Sequence, residues 1–159
     1  MYLLDANVFI EAKQRYYSFE VVPAFWDWLD QAYDDGRVAS VRKVLEELEA
    51  GADELAQWAV QRPDFFLDVD DAALGSLRRA STWATTNGYE TSAVNEFLES
   101  GDYYLVGQAH AHGHTVVTHE TASTGVKRIK IPNACGGLSV PHMNAHAMLR
   151  AEGARFVLG

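Results

Sequence analysis

MYLLDANVFI, residues 1–10, is the stretch on which the reading of this chain turns. Tyr2, Leu3 and Leu4 form a short apolar run that meets a carboxylate at Asp5. Polar Asn7 follows, and a second apolar run, Val8-Phe9-Ile10, begins at once. A carboxylate placed where a buried strand emerges into a turn is costly unless something binds it. In open α/β sheets, ligands sit outside the carboxyl ends of the parallel strands. Asp5 is therefore the first candidate site residue, and the question becomes which other acids return to meet it.

Outward from this stretch, strand-like runs alternate with helical periodicity. That pattern predicts an α/β chain with a parallel sheet, folded as one domain over residues 1–159. Tyr2–Leu4 and Val38–Ser40 read as strands. A long helix from Pro23 stops at Asp35-Gly36, and a helix from Val41 runs to about Ala50. Pro63 ends a short helix carrying Leu55, Trp58 and Ala59, and Phe65–Val69 reads as a strand. Helices are expected from Ala72 to Thr86 behind a cap at Asp70 or Asp71, from Ser92 to Leu98, and from Asp102 to His112. Thr115–Thr118 reads as a strand and 120–137 as a basic loop. A helix near Met143–Arg150 and a last strand, Arg155–Leu158, complete the expectation.

The chain of 159 residues is 48% hydrophobic and 22% charged, enough for one core without covalent staples. Its single cysteine, Cys135, excludes an internal disulfide, reads as a small buried hydrophobe, and suits a reducing cytoplasm. No apolar run approaches the ~18 residues of a membrane span, and no basic segment precedes an apolar one as in a secretory leader. Thirteen basic against 22 acidic residues leave a net charge of −9, which argues against bulk attraction to nucleic acid. Acids that bind divalent cations contribute to that balance, and the bound metal reverses the local sign.

Three further carboxylates have positions suited to a shared site. On the helix from Val41, the residues Val41, Val44, Leu45 and Leu48 form one stripe at 100° per residue. Glu46 falls opposite that stripe, whereas Glu47 and Glu49 lie at its two edges and can lean toward Asp5. Asp102 projects into the middle of the face defined by Leu105, Val106 and Ala109, and its place in the first helical turn suits the helix dipole. Glu120, like Asp5, stands just past a β-branched run, whose last residue, Thr118, offers a hydroxyl. Each acid alone has an ordinary reading as a solvated or capping group. Their coincidence is what counts, because four acids in one pocket do not all ionise without compensation. Hard oxygen donors without cysteines or a dedicated histidine pair favour Mg²⁺ or Mn²⁺ over Zn²⁺.

These residues resemble the PIN-domain superfamily of metal-dependent ribonucleases, and in particular a bacterial PIN-like branch. The shared words are YLLDANVFIEAK (2–13), EEL (46–48) followed by Trp58, Gly101-Asp102, VVTHE (116–120) and KIPNAC (130–135). The resemblance implies a three-layer, Rossmann-like PIN fold with a central, mostly parallel sheet and an acidic site for one or two Mg²⁺ or Mn²⁺ ions. By position it assigns Asp5, Glu47, Asp102 and Glu120 as catalytic metal ligands. Many relatives carry an aspartate at the fourth place, which Thr118 and Glu120 bracket here. Asn7, Thr118 and Lys130 are expected to position substrate. The implied activity is endoribonucleolytic hydrolysis of RNA phosphodiesters. Lys127, Arg128, Lys130, Lys13 and Arg15 are candidates to meet the RNA backbone. Small stand-alone members of the superfamily are often toxins of toxin–antitoxin pairs, so the resemblance further implies a protein antitoxin, a homodimer and a cytoplasmic setting.

Competing signals are weaker. His142 and His146 are four apart, as on one face of a helix, but HMNAH lacks the glutamate of a zinc-protease motif. His110, His112 and His114 alternate near a helix end. His119, between Thr118 and Glu120, is expected near the site. No Gly-rich phosphate loop is present. The alternative to an enzyme is a non-catalytic PIN-like module that binds a protein partner, and the charge of −9 favours it.

Overall fold

The structure, a computed structural model, describes residues 1–158. Its centre is a five-stranded sheet built from β1 (Tyr2–Leu4), β2 (Val38–Val41), β3 (Phe66–Leu67), β4 (Thr115–Val117) and β5 (His142–Met143). The strand order is β3-β2-β1-β4-β5, and every pairing is parallel. The chain winds outward from β1 to β2 and β3, then crosses back to add β4 and β5 on the other side. The order of strands therefore reverses between β1 and β4, the position at which open α/β sheets bind ligands.

Helices α1 (Ala6–Glu11), α2 (Pro23–Asp34), α3 (Arg42–Glu49), α4 (Glu54–Val60), α5 (Asp71–Thr85), α6 (Thr91–Leu98), α7 (Gly101–His112), α8 (Ile131–Leu138) and α9 (Ala145–Ala151) surround the sheet. Parallel strands need such crossovers, and both faces of the sheet are covered by them. This is the α/β, Rossmann-like architecture expected from the sequence. Leu3, Leu4, Val38, Val116 and Val117 lie in the core, with Phe9, Phe25, Ile131 and Met148 packed beyond them. Phe9 touches Trp58, Phe65 and Phe66 at centroid distances of 5.8 to 6.0 Å, and Trp26 meets Trp58 at 5.1 Å. The aromatic helix α2 thus serves the core: Trp26 is buried and donates its indole N–H to the Tyr17 carbonyl at 2.7 Å.

Several boundaries differ from expectation. The segment 120–137 is not a loop throughout, since α8 occupies Ile131–Leu138. Gly136-Gly137 reads locally as a turn, yet tertiary packing overrides it. A Cβ on Gly137 would collide with the Trp83 indole, so the glycine admits α5 against α8. Phe65–Val69 contributes only Phe66–Leu67 to the sheet, after a 3-10 turn at Pro63–Phe65. The last strand is His142–Met143, not Arg155–Leu158, which has no regular structure; Phe156 instead packs on Tyr17 and Phe25. His142 therefore lies on a strand and His146 on α9, so they do not share a helical face. After α1 the chain continues as a π-helical stretch, Ala12–Tyr16, which has no signature in the sequence. Among the described residues, no helix is long and apolar enough to cross a membrane.

Candidate active site

Asp5 is the first residue past β1. Its backbone is extended (φ −68°, ψ 152°), and its N–H completes the ladder to the Val117 carbonyl at 3.0 Å. The strand thus carries the carboxylate to the rim while keeping it 2% exposed. Thr118 is in the matching place past β4. Its hydroxyl donates to Asp5 Oδ2 at 3.1 Å and accepts the Glu120 backbone N–H at 3.0 Å. One buried hydroxyl therefore fixes both the first and the last acid. Thr118 is buried, and both of these bonds go to the acid-bearing residues.

Glu47 arrives from α3 and accepts the Gly101 N–H at 2.7 Å. That donor is one of the unpaired N–H groups at the start of α7, so a carboxylate from one helix caps another. A Cβ on Gly101 would stand 3.1 Å from both Glu47 Oε1 and Val44 Cγ2, which accounts for a glycine at this close approach. Asp102 follows in the first turn of α7 and is half-buried. Glu49, the alternative to Glu47, is exposed as Glu47 is, but only Glu47 lines the cleft.

Asp5, Glu47, Asp102 and Glu120, drawn from four different parts of the sheet and its helices, line one cleft of about 200 Å³. Asn7, Ile10, Phe97 and Ser100 also line it, with Arg128, one of the expected basic residues, and Glu96, which the sequence did not single out. Glu96 sits between Ala93 and Phe97, both buried on α6, and that edge position was the available signal. Lys130 precedes α8 and brings Nζ to 4.0 Å from Glu120 Oε2, while Arg128 Nη2 reaches 3.8 Å. Both exceed hydrogen-bond length, and Glu120 Oε2 is buried without a hydrogen-bond partner.

The electrostatics follow from burial and crowding. Desolvation, then the charges of Glu120 and Glu47, push the Asp5 carboxyl up to about 7, against the hydroxyl of Thr118 and the backbone N–H of Asn7. Asp102 is pushed up to about 8 by desolvation and by Asp5, Glu120 and Glu47, with Arg128 opposing. Cys135 is fully buried, and its thiol is raised to about 12, first by burial and then by Asp102. It is an inert hydrophobe.

A hard divalent cation suits this chemistry. The donors are carboxylate oxygens, two of the acids are pushed up by burial and by the neighbouring carboxylates, and one buried oxygen has no partner. Among the described residues, no three carboxylate, imidazole or thiol groups are drawn closely enough to hold one ion as they stand. The acids line the walls of the cleft instead. Two of the histidines are otherwise engaged: His110 Nδ1 bonds the Ser76 hydroxyl and His112 Nε2 the Asp70 carboxylate, each at 2.7 Å.

Three solved structures share this architecture. FitAcB from Neisseria gonorrhoeae superposes with a TM-score of 0.54 at 22% identity, over 91% of this chain and 97% of that one. FitAB bound to an IR36 DNA fragment gives 0.56 at 21%, over 91% and 94%. VapBC2 from Rickettsia felis, bound to a DNA fragment from its promoter, gives 0.52 at 17%, over 90% and 97%. Likeness at this identity establishes the fold, which is the PIN-domain fold. No curated protein matches the sequence significantly. A family model described as "Domain of unknown function (DUF4411)" matches residues 2–156, a span containing β1 through β5 and all four cleft acids, and the chain belongs to that family.

Proposed function

We propose that this chain is a divalent-metal-dependent endoribonuclease and the toxin of a toxin–antitoxin pair. The observation that carries the proposal is the meeting of four acids from distant parts of the chain in one cleft, with a buried carboxylate oxygen left unpartnered. The fold shared with toxin–antitoxin proteins supports the coarser part, a toxin with nuclease-like activity and a protein antitoxin.

Asp5, Asp102, Glu47 and Glu120 would hold Mg²⁺ or Mn²⁺. The chemistry supplied with such an ion is Lewis acidity at the phosphate and a more acidic water. The remaining work belongs to the chain. Thr118 holds Asp5 and the Glu120 backbone in one orientation, so neither acid reorganises when charge builds up. The N–H of Gly101 holds Glu47 in place. Arg128 and Lys130 stand at the mouth, where a phosphodiester would meet positive charge against the acidic interior. Asn7 offers an exposed amide on the cleft wall.

The test is cleavage of a short single-stranded RNA by the purified chain with Mg²⁺ or Mn²⁺, against EDTA. Cleavage that requires the ion and is lost in both Asp5→Asn and Asp102→Asn supports the proposal. Full activity in those variants, or no cleavage with either ion, overturns it. A second reading, a PIN-like module without catalysis that binds a protein partner, is favoured by the net charge of −9. It requires that the same variants bind that partner as the wild type does.

A further inference from the structure

Three aromatic rings from three elements meet at the surface beside the acid cleft. Tyr16 ends the π-helical stretch that continues α1, and it is 45% exposed. His119 lies between Thr118 and Glu120, and His146 sits in the first turn of α9. The Tyr16 and His146 rings meet edge to face, with centroids 5.0 Å apart and planes at 86°. His119 completes the triangle, 6.0 Å from Tyr16 and 5.8 Å from His146.

The position of His119 ties this cluster to the cleft. Its neighbours are fastened, Thr118 N–H to the Met143 carbonyl at 2.9 Å and Glu120 N–H to the Thr118 hydroxyl at 3.0 Å. The backbone bends at His119. Thr118 and Glu120 belong to the acid cluster, and the His119 ring lies with those of Tyr16 and His146. Tyr16 also meets the Tyr17 ring at 6.2 Å and is left half in water.

We propose that Tyr16, His119 and His146 form a stacking platform for an unpaired nucleobase flanking the phosphate bound in the cleft. The inference rests on the ribonuclease reading and narrows its substrate to single-stranded RNA. An acidic chain cannot rely on bulk attraction to phosphates. The cations on the stretch that carries Tyr16 are already paired, Lys13 with Asp53 at 2.8 Å and Arg15 with Glu11 at 3.3 Å, which leaves Arg128 and Lys130 for the phosphate. Stacking on aromatic faces supplies affinity that salt does not screen and that tolerates any base. Duplex RNA, with its bases already stacked, gains nothing from such a platform.

The probe is a short single-stranded RNA carrying 2-aminopurine, with binding read by its fluorescence and cleavage read in Mn²⁺ on the same molecule. Wild-type chain should quench the fluorescence and prefer this RNA to its duplex. Tyr16→Ala should weaken binding about tenfold, with Tyr16→Phe close to wild type. His146→Ala should weaken it severalfold, and the losses should appear in KM far more than in kcat. Cleavage by wild type together with unchanged binding by Tyr16→Ala and His146→Ala overturns the platform and leaves the nuclease reading standing. Ring-dependent quenching without cleavage does the reverse, and failure of wild type to bind the RNA overturns both.

Discussion

Asp5 holds its proton in the folded chain to a far higher pH than an ordinary carboxyl at 3.8, and Asp102 does the same. Between about pH 4 and pH 8 the folded state therefore binds more protons than the unfolded state. Stability falls as pH rises through that window and levels off above it. The slope is at most ~1.4 kcal/mol per pH unit for each group, or a few degrees of Tm. Thermal melts in EDTA should accordingly show a lower Tm at pH 8 than at pH 5.5. Asp5→Asn should flatten the profile and melt above wild type at pH 8; a variant that melts lower there contradicts the burial account. Glu47 gives a second prediction. Removing the acceptor of the Gly101 N–H in Glu47→Ala should cost about 1–2 kcal/mol, Glu47→Gln should keep most of it, and exposed Glu49→Ala should stay within ~0.5 kcal/mol. Chemical denaturation of the three variants checks the order. At this scale the sequence was informative where an acid's place followed from one local element: Asp5 after a strand, Asp102 on the buried face of a helix start. It left Glu47 and Glu49 undecided, because the choice depends on where α7 begins in space, which helical periodicity does not contain.

Among the elements, α5, α7 and α8 are held together by glycines that remove a side chain from a contact. A Cβ on Gly107 would stand 2.5 Å from Leu77 Cδ2 and 3.0 Å from Leu77 Cγ. Gly107→Ala should destabilise by about 1–3 kcal/mol. Combined with Leu77→Ala it should show favourable coupling in a double-mutant cycle, since the smaller side chain removes the collision. Additive effects would place the strain elsewhere. The same packing explains the misread part of the chain. Ile131, Ala134, Cys135 and Leu138 are all buried at helical spacing in α8, but Gly136-Gly137 carries the local signature of a turn. The helix wins because Gly137 lies under Trp83, a partner more than fifty residues earlier. Strand β5 was illegible for another reason: two residues are too few for alternation to register, and its pairing with Val116 and Val117 is a tertiary fact.

For the molecule as a whole, the proposed metal reading makes protons and cations competitors for the same cleft. Divalent ion binding to the folded state raises Tm, by about 2.7 kcal/mol of stability at a hundredfold excess over Kd. Because that binding displaces protons from Asp5 and Asp102, Mn²⁺ should raise Tm several degrees more at pH 8 than at pH 5.5. Asp102→Asn should shrink the effect. Equal Mn²⁺ shifts at both pH values would mean that the ion binds away from these acids.

The bond between Thr118 and Asp5 joins residues 113 positions apart, and it spans the place where the order of strands reverses. During synthesis the amino-terminal acid leaves the ribosome early and then waits for most of the polypeptide to follow. A nascent chain arrested near residue 110 has neither the neighbour strand nor Glu120. The cleft is therefore assembled only after β4 and Glu120 have followed.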